Sequence, residues 1–588
     1  MSDQTYYENI SCRKDNFSAK SHIQYQNLLK VLYTHDLNEV QSTICSMEEF
    51  AKEHKCYVAG FVSYEAAPGL NNNLITKDPD PAVPLVWFAA FSKQIEVPFN
   101  FKSDCELPQN LIGDFEMEEY ERKIAQIKEE ILSGNTYQVN FTSRLKCSVE
   151  VSPITIYELL ATNQKGDYST LIDTDKFSVI SASPELFFKI ENNLIVSKPM
   201  KGTIRRAKSY QEDEKTRLSL LSSDKDISEN LMIVDLIRND LGMISDIGTV
   251  KVPSHFVAEK YPTVWQMTST VEGKLKSQTS ICDIFQAIFP CGSVTGVPKV
   301  STMKIIATTE KSTRGVYCGA VGCFDYTQRS LRAEFSVAIR TGFLNKLENC
   351  LYFGTGGGIV HQSDSKAEWA ELQAKAQIMR KYNFPHALLE TMYFSPKSGI
   401  KNFERHLNRL SDSAQYFDFN FDLDKIRSEC FKVFKGELRE LRIRLILFNN
   451  ATFDIQTFPF VANKTDGILL GLSQIGVNSE DISLYHKYED RAFYENCRNN
   501  SKSYDDVILW NENGHITETT TANIAIFKED RWITPSLSCG LLPGVERAVL
   551  IDDRKIQEGL IDIKELTSQT KCIVFNSLRG IREAKILV

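Results

Sequence analysis

Residues 354–358 read Gly-Thr-Gly-Gly-Gly, and this run constrains the chain more than any other feature. Backbone with so few side chains lets a ligand come close to its amides. The segment that follows, EWAELQAKA, has helical character and sets Glu368, Glu371 and Lys375 at i, i+3 and i+7, hence on one face. Two carboxylates and an ammonium in a row suit a hard divalent cation that bridges to an anionic substrate. Mg2+ takes oxygen ligands and keeps waters, often with only one or two protein carboxylates. A solvated, salt-bridged helix has the same spacing, so the pattern alone leaves both readings open.

Other segments repeat this ambiguity. ISENLMIVDLIRNDLG (227–242) reads as a helix with Met232, Ile233, Leu236 and Ile237 as its apolar stripe. Glu229 at its start is either a third oxygen ligand or an acid favoured by the helix dipole. SASPELFFKI and VSKPMKGTIRR (181–206) read as two strands joined by a polar turn. Lys201 precedes Gly202 there, and Arg205 and Arg206 are expected to lower its pKa and free its amine as a nucleophile. A basic surface turn would look the same. The stretch 115–133 is an amphipathic helix, with Tyr120, Ile124, Ile127 and Ile131 on one face. GFVSYEAAPG (60–69) and PLVWFAAFS (84–92) read as buried strands. FPCGSVTGVPK (289–299) is a loop rich in hydrogen-bond donors.

At 588 residues the chain exceeds the roughly 100–200 residues of one domain. A second unit is expected from Phe384-Pro385, giving modules over 1–383 and 384–588. Hydrophobic content of 42% supports a large core, and a net charge of −8 excludes a basic nucleic-acid surface. The fourteen cysteines form no C-x-x-C pair, which argues against a structural zinc site and for reduced thiols. YCGAVGC, with Cys318 and Cys323, reads as a strand carrying packed thiols. MSDQTYYENI has no basic and apolar leader pattern, and no run of eighteen apolar residues occurs. A cytoplasmic chain without a membrane span is the expectation.

Taken in order, GNTYQVNFTSR (134–144), SPELF, PMKGTIRR, ENLMIVDLIRNDLG, FPCGSVTGVPK, RGVYCGAVG (314–322), FSVAIRT (335–341) and GTGGGIV with EWAEL and Lys375 resemble the chorismate-utilising enzymes over about residues 55–380. That family includes anthranilate synthase, isochorismate synthase and aminodeoxychorismate synthase component I. The resemblance implies an antiparallel β-sandwich flanked by helices. It implies a Mg2+ site at Glu229, Glu368 and Glu371 for the ring carboxylate of chorismate. Lys375 and the amides of Gly356, Gly357 and Gly358 would hold the same carboxylate, and Tyr317 and Arg340 the enolpyruvyl carboxylate. Glu185 would assist departure of the ring hydroxyl. The anthranilate branch typically has alanine where PMKGT has Lys201. In the aminodeoxychorismate branch this lysine attacks the ring and ammonia then displaces it. Gln138 stands where isochorismate-type enzymes usually carry a general-base lysine, and Gln266 stands where the anthranilate pattern has histidine. The chain carries no glutamine amidotransferase segment, since Cys291 belongs to a family loop. A separate glutaminase subunit supplying ammonia is therefore the expected partner.

The second unit offers HKYEDRAFYENCR (486–498), DDVILWNENGHITETTTANIAIF (505–527) and LPGVER (542–547). The middle stretch reads as strand, Asn-Gly turn and strand. Glu518 lies in its polar end, and LPGV leads into a helix whose N-terminus could take a phosphate. With LLETM, HLNRLSDSA and NSLRG (576–580), these segments resemble the fold-type-IV pyridoxal 5'-phosphate enzymes over about 386–580. That family holds aminotransferases and aminodeoxychorismate lyase. The resemblance implies an α/β fold, Lys487 as the Schiff-base lysine and Glu518 opposite the pyridine nitrogen. Phosphate contacts would come from Arg409, the amides of Val545 and Glu546, and Ser577. The family's modules are usually dimers. The fusion implies successive steps: amination of chorismate to 4-amino-4-deoxychorismate, then elimination of pyruvate to p-aminobenzoate for folate synthesis. An amino-acid aminotransferase in the second module, or an anthranilate synthase component I in the first, is the alternative.

Overall fold

The computed structural model describes residues 10–16, 21–98, 107, 111–328, 330–380, 384–461, 467–500 and 503–587. Residues 1–9 of the leader assessment and residue 383 of the expected boundary lie outside that set. The chain divides into two compact units, Met1–Arg206 with Arg217–Tyr382, and Ala207–Thr216 with Asn383–Val588. No helix among the described residues is long and apolar enough to cross a membrane.

In the first unit eighteen described strands join in one sheet system, and its ladders are antiparallel. Alternation of side chains across these strands gives the system two buried faces. One face packs Phe88, Phe188 and Phe335 against Ile233, Ile237 and Phe285 of two helices. Another gathers Phe61, Trp87, Phe177 and Phe343. The glycine run lies inside the strand Cys350–Ile359, which pairs with Gln138–Ser148 so that Gly356 faces Thr142 and Gly358 faces Asn140. The strand Thr341–Asn345 covers the other edge only as far as Phe353. Beyond Phe353 that edge has no strand beside it among the described residues. The helix Ser365–Ala376 follows, capped by Asp364 and tied back by the Thr355 hydroxyl, which donates to Leu372 O at 3.0 Å.

Several sequence expectations shift. The acidic helix begins at Asp224, capped by the Ser223 side chain, so Glu229 stands in its second turn. Its buried stripe is Ile233, Val234, Ile237, Leu241 and Ile244, leaving Met232 and Leu236 only partly covered. The strand Tyr57–Val62 stops short, and Tyr64–Leu70 turns helical, with Pro68 at a first-turn position where proline is tolerated. Cys318 has φ 63° and precedes the strand Ala320–Asp325, so YCGAVGC is turn and strand rather than strand throughout. The described cysteines are all free.

The second unit has an antiparallel sheet around Ala387–Ser395 and Leu441–Phe448, covered by the helices Phe403–Tyr416 and Leu423–Phe434. Its eight-stranded sheet is mixed: Ile468–Leu472 runs parallel to both Asp506–Trp510 and Gly580–Ile586. This is the α/β class expected for this part of the chain.

Candidate functional sites

A pocket of about 170 Å³ in the first unit is lined by Glu185, Lys201, Glu229, Tyr317, Arg340, Gly356, Gly357, Gly358, Glu368, Glu371 and Lys375. The structure thus brings together the first-module residues to which the resemblance gives a metal, substrate or catalytic role. Gly357 marks the centre: a Cβ there would sit 3.1 Å from Glu368 Oε2, 3.7 Å from Glu371 Oε1 and 3.8 Å from Lys375 Nζ. The Lys375 ammonium pairs with Glu371 at 2.6 Å and donates to Gly356 O at 2.6 Å. The Ser363 hydroxyl donates to Glu368 Oε1 at 2.7 Å, and Arg340 donates to Lys375 O at 2.8 Å. A Cβ at 358 would lie 2.2 Å from Gln138 Nε2 and 3.0 Å from Lys201 Nζ, so a side chain there would displace both polar ends from the pocket.

Burial sets the electrostatics here. It lowers the Lys201 pKa, helped by Lys375 and opposed by Glu229, Glu185 and Glu371. The expected contribution of Arg205 and Arg206 is not what lowers it, since Arg206 lies over the Trp265 ring instead. Burial also raises Glu229 and Glu368, and pushes Glu185 up to about 7 against Ser293, Lys201 and the Met200 amide. Glu371 moves down despite its burial, chiefly through Lys375. Among the described residues, no three His, Cys, Asp or Glu side chains cluster closely enough to hold a metal alone. The donor set still suits Mg2+, which completes its shell with water and substrate oxygens. Among the described residues, Glu229 Oε1 and Glu185 Oε1 are buried without a hydrogen-bond partner, as groups awaiting a ligand would be.

The second unit holds a cleft of about 1250 Å³ lined by Arg409, Lys487, Glu518, Val545 and Ser577, among others. Lys487 lies in an extended segment, not on a helix: Leu389 N donates to Lys487 O at 2.9 Å, and Tyr488 bridges to Leu388. Burial, then Arg409 and Arg491, bring its pKa down to about 8. Glu518, buried, rises to about 7 and accepts the Tyr494 hydroxyl at 3.1 Å. The helix Val545–Asp552 opens at Gly544, where a Cβ would strike Asn523 Oδ1 at 1.9 Å. Glu546 does not line the cleft, and its carboxylate accepts from Lys401 at 2.9 Å. An amine, a facing carboxylate and a helix N-terminus in one cleft fit pyridoxal 5'-phosphate.

Sequence reasoning missed Glu390 and His406. Glu390 Oε1 and Oε2 accept Arg409 Nε at 2.8 Å and Nη2 at 2.7 Å, and His406 Nδ1 lies 2.6 Å from Oε2. His406 Nε2 lies 2.8 Å from Ser577 Oγ. The signal was an acid inside the apolar run LLETM and a His three residues before Arg409 on a helix.

Comparison with known proteins finds two family models in succession along the chain. Residues 103–381 match the model of the chorismate binding enzymes, and 387–587 that of the class IV amino-transferases. Anthranilate synthase component 1 of Neisseria meningitidis serogroup B is 35% identical over 305 residues, 51% of this chain and 61% of that protein. Aminodeoxychorismate synthase component 1 of Escherichia coli K12 is 35% identical over 273 residues, 46% of this chain and 59% of that protein. The chain thus spans about three fifths of the length of these relatives. The crystal structure of anthranilate synthase component I from Streptococcus pneumoniae superposes with a TM-score of 0.52 at 21% identity, covering 65% of this chain and 95% of that one. It shares the fold of the first unit. The chain joins a member of the chorismate binding enzymes, at residues 103–381, to a member of the class IV amino-transferases, at residues 387–587.

Proposed function

We propose that the chain converts chorismate to p-aminobenzoate in two steps, amination in the first unit and loss of pyruvate in the second. The observation that carries this reading is the buried Lys201 amine in the pocket of Glu229, Glu368 and Glu371. Overall identity does not choose between the anthranilate and aminodeoxychorismate branches, both being 35%. Position 201 does, because a nucleophilic amine gives the reaction a covalent route.

Mg2+ held by Glu229, Glu368 and Glu371, with waters, supplies a charge anchor for the ring carboxylate. Lys375 and the open edge of Gly356, Gly357 and Gly358 complete that anchor. Arg340 and Tyr317 bind the second carboxylate. Neutral Lys201 attacks the ring, and the hydroxyl leaves as water with a proton from Glu185, whose raised pKa keeps it partly protonated near pH 7. Ammonia then bonds to the ring and Lys201 departs with its electron pair. A separate glutaminase subunit supplies that ammonia.

In the second unit pyridoxal 5'-phosphate, when bound, supplies an aldehyde for an amine and a sink for electrons. Lys487 would hold it, Glu518 would partner its ring nitrogen, and Arg409, Ser577 and the amide of Val545 would hold its phosphate. Lys487 Nζ, largely neutral above pH 8, takes the ring proton as pyruvate leaves. Lyase rather than aminotransferase action follows from joining consecutive steps in one chain, which in solution forms a homodimer through this unit and resides in the cytoplasm.

The test is incubation of the purified chain with chorismate, Mg2+, pyridoxal 5'-phosphate and ammonium at raised pH. p-Aminobenzoate is expected and anthranilate is not. Lys201→Ala should stop amination while chorismate still binds. Aminodeoxychorismate output from that variant at the wild-type rate would end the nucleophile assignment.

A further inference from the structure

The cleft of the second unit contains a guanidinium that the reading above leaves idle. The hairpin of Cys572–Asn576 and Gly580–Ile586 forms part of its wall and carries Ser577, Arg579 and Arg582. Its turn is fixed from within: Asn576 Oδ1 accepts Arg579 N at 2.8 Å, and Asn576 Nδ2 donates to Thr521 O at 3.1 Å. Arg582 is half-buried, and burial together with the neighbouring Arg579 lowers its pKa. Asp506 is the acid nearest in effect, but its oxygens are already used. Oδ1 accepts from Val507 N, Thr520 N and the Thr520 hydroxyl, and Oδ2 accepts from the Thr521 hydroxyl. Arg582 Nε is consequently buried with no hydrogen-bond partner among the described residues. Three other guanidiniums of this cleft are engaged. Arg409 is held by Glu390, Arg491 donates to Thr520 O and lies over Tyr494, and Arg442 lies over Phe458.

Leaving a cationic donor desolvated and unmet costs stability unless something fills it. A guanidinium's fork matches a carboxylate or a phosphate, and the reading above already gives the phosphate of this cleft to Arg409, Ser577 and the helix N-terminus, which leaves a carboxylate for Arg582. We propose that Arg582, with Arg579 beside it, is the carboxylate subsite of the second unit. It recognises an amine that carries a carboxylate elsewhere on its skeleton, and it turns that carboxylate away from the Lys487 end of the cleft. The proposal rests on Lys487 being the amine-capturing end. It makes Arg582 the residue that separates a carboxylated cyclic amine from amines without the acid group.

The test uses the holoenzyme, Arg582→Gln and the charge-retaining Arg582→Lys. The probes are 4-aminobenzoate and aniline, which share an arylamine and differ in the carboxylate. Binding is read from calorimetry and from the visible spectrum of the bound cofactor. Arg582→Gln is expected to weaken 4-aminobenzoate at least ten-fold and aniline less than two-fold, with partial recovery in Arg582→Lys. The KM for 4-amino-4-deoxychorismate should rise in parallel. Unchanged 4-aminobenzoate affinity, or an equal loss for both probes, overturns the subsite. So does a loss confined to cofactor affinity, which would assign Arg582 to the phosphate, or a fall in oligomeric mass, which would assign it to an interface. Failure of the underlying reading looks different: the visible band of the cofactor would then persist in Lys487→Ala.

Discussion

Replacing Glu390 by glutamine probes the electrostatics of the second site most directly. The side chain is 1% exposed. Burial alone would raise its pKa, yet Arg409 and then His406 hold it at about 2. Burial drives His406 down, so the ring is neutral near pH 7 and the charge opposing Glu390 is that of Arg409. A fall from 4.5 to about 2 is worth ~3 kcal/mol in favour of the ionised carboxylate, at about 1.36 kcal/mol per pH unit. Glutamine keeps the shape but strands a guanidinium, and removing one partner of a buried pair typically costs roughly 3–5 kcal/mol. Glu390→Gln should therefore destabilise the second unit by ~3 kcal/mol near pH 7 in urea unfolding. Because the folded pKa is the lower one, this stabilisation is present above pH 4.5 and is lost as pH falls from 4.5 towards 2. Wild-type and variant unfolding curves should converge across that window. Adding Arg409→Met removes the stranded charge and should restore most of the stability while pyridoxal 5'-phosphate still binds weakly. A loss below about 1 kcal/mol, or a double variant as unstable as the single one, would refute the reasoning.

Glu185→Gln should slow amination by about 100-fold with chorismate affinity retained, as fluorescence titration would show. In the wild type, at a fixed concentration of free NH3, amination should fall as pH rises past about 7, where Glu185 loses its proton. Chelation of divalent cations should abolish amination and leave conversion of supplied 4-amino-4-deoxychorismate intact, measured as pyruvate release. Arg491→Gln removes a like charge that helps bring Lys487 to about 8. The pH midpoint of cofactor capture should therefore move up; a midpoint that stayed in place or fell would place the cause elsewhere.

The sequence disclosed the parts of this molecule that depend on local pattern. Glu368, Glu371 and Lys375 could be put on one face because helical spacing is fixed, and they converge over Gly357. The acids and amines of each site could be named by their motifs. Four things were hidden. The start of the acidic helix lies at Asp224, three residues before the Ile227 at which the sequence pattern begins, because the Ser223 side chain caps it there. The cause of the depressed Lys201 pKa was misread because neighbours in sequence, Arg205 and Arg206, need not be neighbours in space. Lys375 is distant along the chain, yet it supplies the like charge. The Glu390, Arg409, His406 and Ser577 network joins three separate elements, and no periodicity links those positions. Grouping of Ala207–Thr216 with the second unit was equally invisible, since the motif before it and the helix after it belong to the first.

Both sites depress a lysine by burial, which no stretch of sequence displays, and they differ in what else surrounds the amine. Around Lys201 the opposing charges are carboxylates, Glu229, Glu185 and Glu371. Around Lys487 the guanidiniums of Arg409 and Arg491 act with burial, and Glu390 and Glu518 only resist it. Each set is opposite in sign to what the site is proposed to hold first, a divalent cation in one and a phosphate ester in the other. The difference follows from desolvation: a buried charge is tolerated when its counter-ion arrives with the ligand. A net charge of −8 conceals this, because it sums an acidic pocket and a basic cleft. The unmet polar atoms, an acceptor in one site and a donor in the other, then become informative. Glu229 Oε1 in the first site and Arg582 Nε in the second are buried with no hydrogen-bond partner among the described residues. They point to ligands of opposite charge in the two halves of one chain.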